Sequence, residues 1–353
     1  MRAPLIGYLA LVATLVAGCQ TAPAATGSPA VRSDASAAPR GTHAQANGQP
    51  AAEPALLGVT MAHAGLTPNV AAVWVAADLD FDRQYGLDIN IVQTRTASLS
   101  QAALLSGEVD YAWTGLGPTL AARDGGSDVV FIAATQNRAA GDLVVHSSIT
   151  TPEALRGKRL GVHSLGGPPH LRTLQALASF GLDPERDQIT ILATGEEPTT
   201  AAALLEGAID GAALSYTAAS GLKPRGYRSW DLAELGIPDV FGIVTRPGQA
   251  RAKAEETRRL LRALGASLAY IQTIGGDEEA RQRVAQVLAE RLRAPREDVL
   301  VHLDRVKDHL PADMRVQLDD ATEVQTYMVG QNPAVGQVHL DEVLDYAFLD
   351  QIR

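Results

Sequence analysis

From about residue 55 onward, short apolar runs alternate with amphipathic stretches and are punctuated by glycine, the pattern of an α/β protein. Leu57-Gly58-Val59-Thr60-Met61 predicts a strand, and Leu160-Gly161-Val162-His163-Ser164 reads as its likeness. Gly86-Leu87-Asp88 leads into Ile89-Asn90-Ile91-Val92, and Gly181-Leu182-Asp183 precedes Ile189-Thr190-Ile191-Leu192. The strongest echo sets Ala103-Leu104-Leu105-Ser106-Gly107-Glu108-Val109-Asp110 against Ala203-Leu204-Leu205-Glu206-Gly207-Ala208-Ile209-Asp210. Matched blocks in one order indicate a duplicated unit, each copy running strand, loop, helix, strand, helix, glycine turn, strand. In each copy the glycine falls where a left-handed helix cap is needed. Two open α/β lobes follow from this pattern. Such sheets bind ligands beyond the carboxyl ends of their strands, and two facing lobes leave a cleft that a hinge can close. After Pro247 the period lengthens: Leu260, Leu261, Leu264 and Leu268 form one helical stripe, and Val299, Leu303, Val306 and Leu310 another. These helices are expected to pack over one lobe.

The first residues read differently. Arg2, an apolar run from Leu5 to Ala17 and small residues at its end have the form of a secretory signal. The run is shorter than the roughly 20 residues of a spanning helix. Val16-Ala17-Gly18-Cys19 resembles a bacterial lipobox, with Val16 where leucine is usual, which makes Cys19 the expected lipid attachment site. From Gln20 to Glu53 the only sizeable apolar residue is Val31, so this stretch reads as a disordered tether.

Composition narrows the classes. With 46% hydrophobic residues the chain can bury cores, which excludes wholesale disorder. Its 353 residues suggest two domains. The net charge of −10, with no basic stripe, argues against a nucleic-acid partner. The one cysteine excludes an intrachain disulfide and a cysteine-ligated zinc or iron–sulfur centre.

Candidate chemistry lies where strands lead into helices. His63 precedes Gly65, Pro68 and a helix carrying Trp74; Thr94 to Ser100 gives a hydroxyl-rich helix start with Thr96 and Ser98; Trp113-Thr114-Gly115 follows the third strand. The second copy supplies Ser164, Gly166-Gly167-Pro168-Pro169, Ser215 and Tyr216. Gln136 and Asn137, just ahead of the passage to the second copy, complete the candidate ligand-binding set. Glycine backbone and hydroxyl donors at helix starts suit a small oxyanion or a polar, planar molecule. The same hydroxyls also serve as helix caps, the Gly-Gly-Pro-Pro run as a stiff turn, and Trp74 and Trp113 as core. His63, His163 and His170 lack a neighbouring carboxylate pair, so no metal site is expected. A Gly-x-Ser-x-Gly elbow, a dinucleotide turn and a P-loop are all absent from the sequence, and no cofactor is expected.

One ordered set of residues carries a family resemblance. It comprises Pro68 with Trp74-Val75-Ala76, Phe81 with Gly86-Leu87-Asp88, the block ending at Asp110, Thr151-Pro152-Glu153-Ala154-Leu155-Arg156-Gly157-Lys158 running on to Gly161, and Gly181-Leu182-Asp183. The set resembles the solute-binding proteins of ABC importers in the nitrate/sulfonate/taurine and thiamine-pyrimidine-precursor group. The resemblance implies a type II periplasmic-binding fold: α/β lobes, crossover strands near Asp142–Val145 and Phe241–Val244, and ligand in the cleft. It places the first lobe at 55–141 plus 245–353 and the second at 142–244, behind a signal peptide (1–18) and tether (19–53). It implies a monomeric, extracytoplasmic, lipid-anchored receptor that hands a small solute to an ABC permease and its ATPase. Asp80 departs from the family by replacing the usual glycine before Phe81, and Trp113 by replacing a small residue. Arg95 and Arg138 are the arginines at strand ends that could clamp an anion. Two alternatives share the fold. One is an enzyme resembling pyrimidine-precursor synthases, whose cysteine-rich motif this chain lacks, or menaquinone-pathway lyases; the other is a ligand-sensing module.

Overall fold

A computed structural model describes residues 55–64, 67–165, 168–330 and 332–352, without the side chains of residues 97, 98 and 168. The chain opens with β1 (Leu57–Ala64), then α1 (Ala71–Asp78), α2 (Phe81–Gln84), β2 (Leu87–Thr94), α3 (Ala97–Ser106), β3 (Tyr111–Gly115), α4 (Leu116–Asp124) and β4 (Val130–Arg138). It then leaves for a second sheet through β5 (Asp142–Val145), β6 (Arg159–Val162), α5 (Pro168–Ser179), β7 (Thr190–Ala193), α6 (Glu197–Leu205), β8 (Gly211–Leu214), α7 (Tyr216–Leu222) and β9 (Arg228–Asp231). β10 (Pro238–Thr245) returns, followed by α8 (Pro247–Ala252), α9 (Ala254–Gln272), α10 (Glu278–Leu292), α11 (Arg296–Lys307) and α12 (Leu318–Val329).

The sheets have matching orders, β2-β1-β3-β10-β4 and β7-β6-β8-β5-β9. In each, the first three strands run parallel and the fourth, arriving from the other lobe, runs antiparallel. The duplication expected from sequence is therefore present in the fold, with β1, β2 and β3 matching β6, β7 and β8. The alignment of the first strands differs, however. Met61 pairs with Tyr111 as Leu160 pairs with Gly211, so Leu160 matches Met61 and not Leu57. The shared Leu-Gly-Val letters sit four places out of register, because β6 is a four-residue strand and lacks the first three residues of β1.

The second lobe ends earlier than expected. β10 is bonded to β4 from Pro238 on and to β3 from Phe241 on, so residues 238–244 belong to the first sheet. Gly141, between β4 and β5, has φ of +139°, and a Cβ there would lie 2.3 Å from the Leu214 carbonyl oxygen. Only glycine lets the outgoing crossover lie this close to β8.

Alternation along β3 divides the first core: Tyr111 and Trp113 join the cluster under α1, α9 and α10, while Ala112 joins the cluster under α3, α4 and α12. The second sheet is covered on its two faces by α5 and by α6 with α7. The tail helices do not confine themselves to the first lobe. Arg305 of α11 reaches Asp142 at 2.8 Å and also bonds Asp231, both on the second sheet. Asp142 and Asp231 are paired across β5 and β9 at the cleft end, and two carboxylates side by side there demand a cation.

Candidate functional site

The β3–α4 junction of the first lobe and α5 of the second face a narrow cavity of about 30 Å³, room for a water molecule or two. Its lining comes from three parts of the chain. Gly115, Gly117 and Pro118 belong to the β3–α4 junction, Leu171 and Gln175 to α5 of the second lobe, and Pro238 to Phe241 to the returning crossover. Val324 and Tyr327 of α12 complete the wall. The cavity is thus built from both lobes and from the strand that joins them.

Of the residues expected from sequence, Gly115 lines this cavity. It begins α4 with no side-chain cap, so the helix start is left open. Thr114 beside it is buried, and its hydroxyl has no hydrogen-bond partner among the described residues. Gln136 is fully buried; its amide nitrogen donates to Asp239 Oδ2 at 3.1 Å and to the Arg138 carbonyl at 2.9 Å, while Oε1 has no partner among the described residues. Trp113 stacks on Phe241 with ring centres 4.7 Å apart and donates to Thr135. Its ring supports the cavity wall from behind.

Other expected residues are engaged elsewhere. Trp74 is fully buried in the first core and donates its indole N–H to His63 Nε2 at 3.3 Å. Thr96 caps α3 by accepting from the Leu99 amide; Ser98 lies in the first turn of α3, and its side chain falls outside the described residues. Asn137 holds the Arg315 carbonyl at 2.8 Å. Ser164 is half-buried in the bend after β6; Gly166, Gly167 and Cys19 fall outside the described residues. Ser215 caps α7, and both its amide and its hydroxyl donate to Glu197, at 2.8 and 2.7 Å. Arg95 is exposed, and Arg138 is paired with Asp320 at 2.5 Å.

Tyr216 is the centre of a second arrangement. Its hydroxyl bonds His309 Nε2 at 2.7 Å and donates to Asp231 at 3.1 Å, and the Arg305 guanidinium lies 3.7 Å over its ring. Burial, then the Asp231 carboxylate, push the tyrosine hydroxyl well above its usual range. Burial first, with Arg305 and Arg138 adding to it against Asp231 and Asp308, lowers His309 to about 4. The clasp therefore has a neutral histidine and a neutral tyrosine holding the tail to the second lobe.

The sequence reading missed Asp239. It lies two residues before Phe241 at the start of β10, lines the cavity, and is 8% exposed. Arg172 Nε on α5 approaches its Oδ2 to 3.5 Å, which ties the second lobe to the crossover. Burial pushes the Asp239 carboxyl up, opposed by Arg172 and by the Gln136 donor. An acid directly ahead of an apolar crossover run was the available signal. Among the described residues no three His, Cys, Asp or Glu side chains come together as a metal site, and no helix is long and apolar enough to cross a membrane.

Comparison with known proteins agrees with this geometry. A crystal structure of the periplasmic sulfonate-binding protein SsuA from Methylobacillus flagellatus KT superposes with a TM-score of 0.66 at 19% identity, covering 84% of this chain and 94% of that one. The periplasmic aliphatic sulphonate binding protein SsuA from Escherichia coli gives 0.64 at 20% identity, covering 82% and 92%. These likenesses establish the periplasmic-binding fold. The taurine-binding periplasmic protein of Escherichia coli K12 is 28% identical over 200 residues, a stretch that is 55% of this chain and 61% of that protein. The match thus spans about three-fifths of the length of this curated relative. A family model described as NMT1/THI5 like matches residues 67–273, from the first helix of the first lobe through the return to it, and the chain belongs to the NMT1/THI5-like family.

Proposed function

We propose that this protein is an extracytoplasmic receptor of an ABC importer, which captures a small sulfonate, other oxyanion or polar heterocycle between its lobes and delivers it to the permease. One observation carries the reading: the cavity takes its walls from β3–α4, from α5 and from the crossover at Asp239 to Phe241, so a solute there touches both lobes at once. Contacts of that kind form fully only when the lobes are together, so binding shifts the population toward closure. A cavity of about 30 Å³ is too small for an alkanesulfonate, so the lobes must part to admit one. Hinging at the two crossovers supplies this motion. The relatives named above are binding proteins, which supports a receptor over an enzyme, and the Cys19 reading supports a lipid tether.

The test measures thermal stability and small-angle scattering of the full chain with taurine, ethanesulfonate, nitrate or cytosine. At a hundredfold excess over its dissociation constant, a bound solute stabilises by about 2.7 kcal/mol. The expected result is a raised melting temperature and a smaller radius of gyration with at least one solute. A chain indifferent to all four ends the receptor reading. Cell fractionation is the second arm: Cys19→Ser should move the protein out of the membrane fraction, and an unchanged distribution removes the anchor.

A further inference from the structure

The grip of the tail on the second lobe falls on the hinge itself. Asp142, the first residue of β5, follows Gly141 on the outgoing crossover, and Asp231, the last residue of β9, precedes the return. The two passages are bonded to each other, Leu232 N to the Gly141 carbonyl and Ala139 N to the Ile237 carbonyl, both at 3.0 Å. Arg305 of α11 donates to Asp142 at 2.8 Å and, through Nε, to Asp231 at 3.0 Å. One guanidinium thus holds the second lobe both where the chain enters it and where the chain leaves it. Val306, the next residue, packs with Ala140 of the crossover and with Tyr216.

α11 itself stays with the first lobe. Val299 and Leu303 are buried there with Leu260 and Leu264 of α9. The His309 carbonyl, just past the helix, accepts from the Asn137 amide of β4 at 3.0 Å, while its ring bonds the Tyr216 hydroxyl at 2.7 Å. His309 is therefore fastened to one lobe by its backbone and to the other by its side chain. Opening rotates the second sheet against β4, and groups tied to both must let go of one. Lys223, on the second lobe and 3.3 Å from Asp142, stays with that carboxylate when Arg305 departs, so the parted state keeps part of its charge balance.

We propose that α11 is a hinge lock: Arg305, together with the His309–Tyr216 bond, holds the lobes closed before any solute arrives, and opening requires this grip to release. Arg305 lies outside the cavity lining and acts as a positioning residue. The lock needs no bound solute, so its test can fail while the receptor reading stands.

The test uses the full chain without added solute, in a Cys19→Ser background with spin labels on Gln93→Cys and Ala193→Cys, exposed and equivalent positions on the edge strands of the two sheets. Double electron–electron resonance should show a predominantly short distance in this parent. In Arg305→Gln the population at longer distance should rise about tenfold or more, the share of a charge-assisted pair. Tyr216→Phe removes the hydroxyl bond alone and should raise that population about fivefold. Distances unchanged from the parent in both variants, or a parent already mostly open, overturn the lock. Should Arg305→Gln not fold, as judged by its circular dichroism melt, Tyr216→Phe decides alone.

Discussion

The two lobes repeat the same local devices and then diverge in what the rest of the chain adds to them. Asp110 and Asp210 each close the duplicated block by accepting from the backbone of the lobe's first strand, from Thr60 N and Arg159 N, both at 2.9 Å. Thr94 bonds Ser100 hydroxyl to hydroxyl at 2.7 Å, as Thr194 bonds Thr200. Thr94 also bonds the His63 carbonyl, and Thr194 the Val162 carbonyl. These hydroxyls fasten strand ends to helix starts in both copies, so their shared role is architectural. The differences lie at the cavity and at the tail contact. Ser215 and Glu197 of the second lobe stand where the first has Gly115 and Ala97, so a carboxylate occupies the turn that the first lobe leaves open to the cavity. Tyr216 is clasped by the tail, whereas its counterpart Leu116 is plain core. What the duplication teaches is that equivalent positions fold alike, while the candidate cavity and the tail contact lie at positions that stopped being equivalent.

The sharpest way to separate the copies is at the paired aspartates. Asp110 is sealed by Lys253 at 2.7 Å and Gln249 at 2.6 Å, both from the tail, whereas Asp210 has the more exposed Arg159. Burial pushes the Asp110 carboxyl up, yet Lys253 and the Thr60 amide outweigh it and hold it below the usual range. Asp110→Ala is expected to cost about 4 kcal/mol, since it strands a part-buried ammonium and a strand amide. Asp210→Ala should cost about 1 kcal/mol. Urea unfolding measures both, and equal losses would show that the tail adds nothing to the first copy.

A smaller contrast concerns pH. His309 titrates near 4 when folded and near 6.5 when unfolded, so between those values the unfolded chain binds the extra proton and stability falls as pH falls. The full effect is about 3 kcal/mol, complete below pH 4. His309→Gln should flatten the dependence between pH 7 and pH 4.5, and an unaltered slope would mean that other groups set it. Leu116, on the first lobe, gives no such titration.

The smallest expected effect is at Asp80, which has φ of +59° at the turn into α2, the left-handed region that favours glycine. The glycine that the family resemblance implies at this place would have a backbone cause. Asp80→Gly should stabilise by about 0.5 kcal/mol, because the exposed Asp80–Arg83 pair it removes is worth little. A loss of stability in thermal melts would show that the ion pair matters more than the backbone.

Much of the frame was readable in the linear chain. The period of apolar residues gave the strands, and the block repeated from Ala103 to Asp110 and from Ala203 to Asp210 gave the two copies, because these patterns are local. The site was less legible. Trp74 and Trp113 look the same in sequence, yet one lies deep in the first core and the other behind the cavity wall. The place of Asp239 was not legible, since it depends on Gln136 and Arg172, distant in the chain.

The sequence by itself determined the class, α/β in two copies, and the order of elements, since short-range periodicity and glycine placement decide how each segment folds. Which residues meet was decided only in three dimensions. The exit through Gly141 and the return at Pro238 bring β10, α5 and α12 together around one cavity, and the tail reaches past its own lobe to grip Tyr216. Contacts between segments far apart in the chain depend on packing and charge balance across the whole molecule, and no local pattern encodes them.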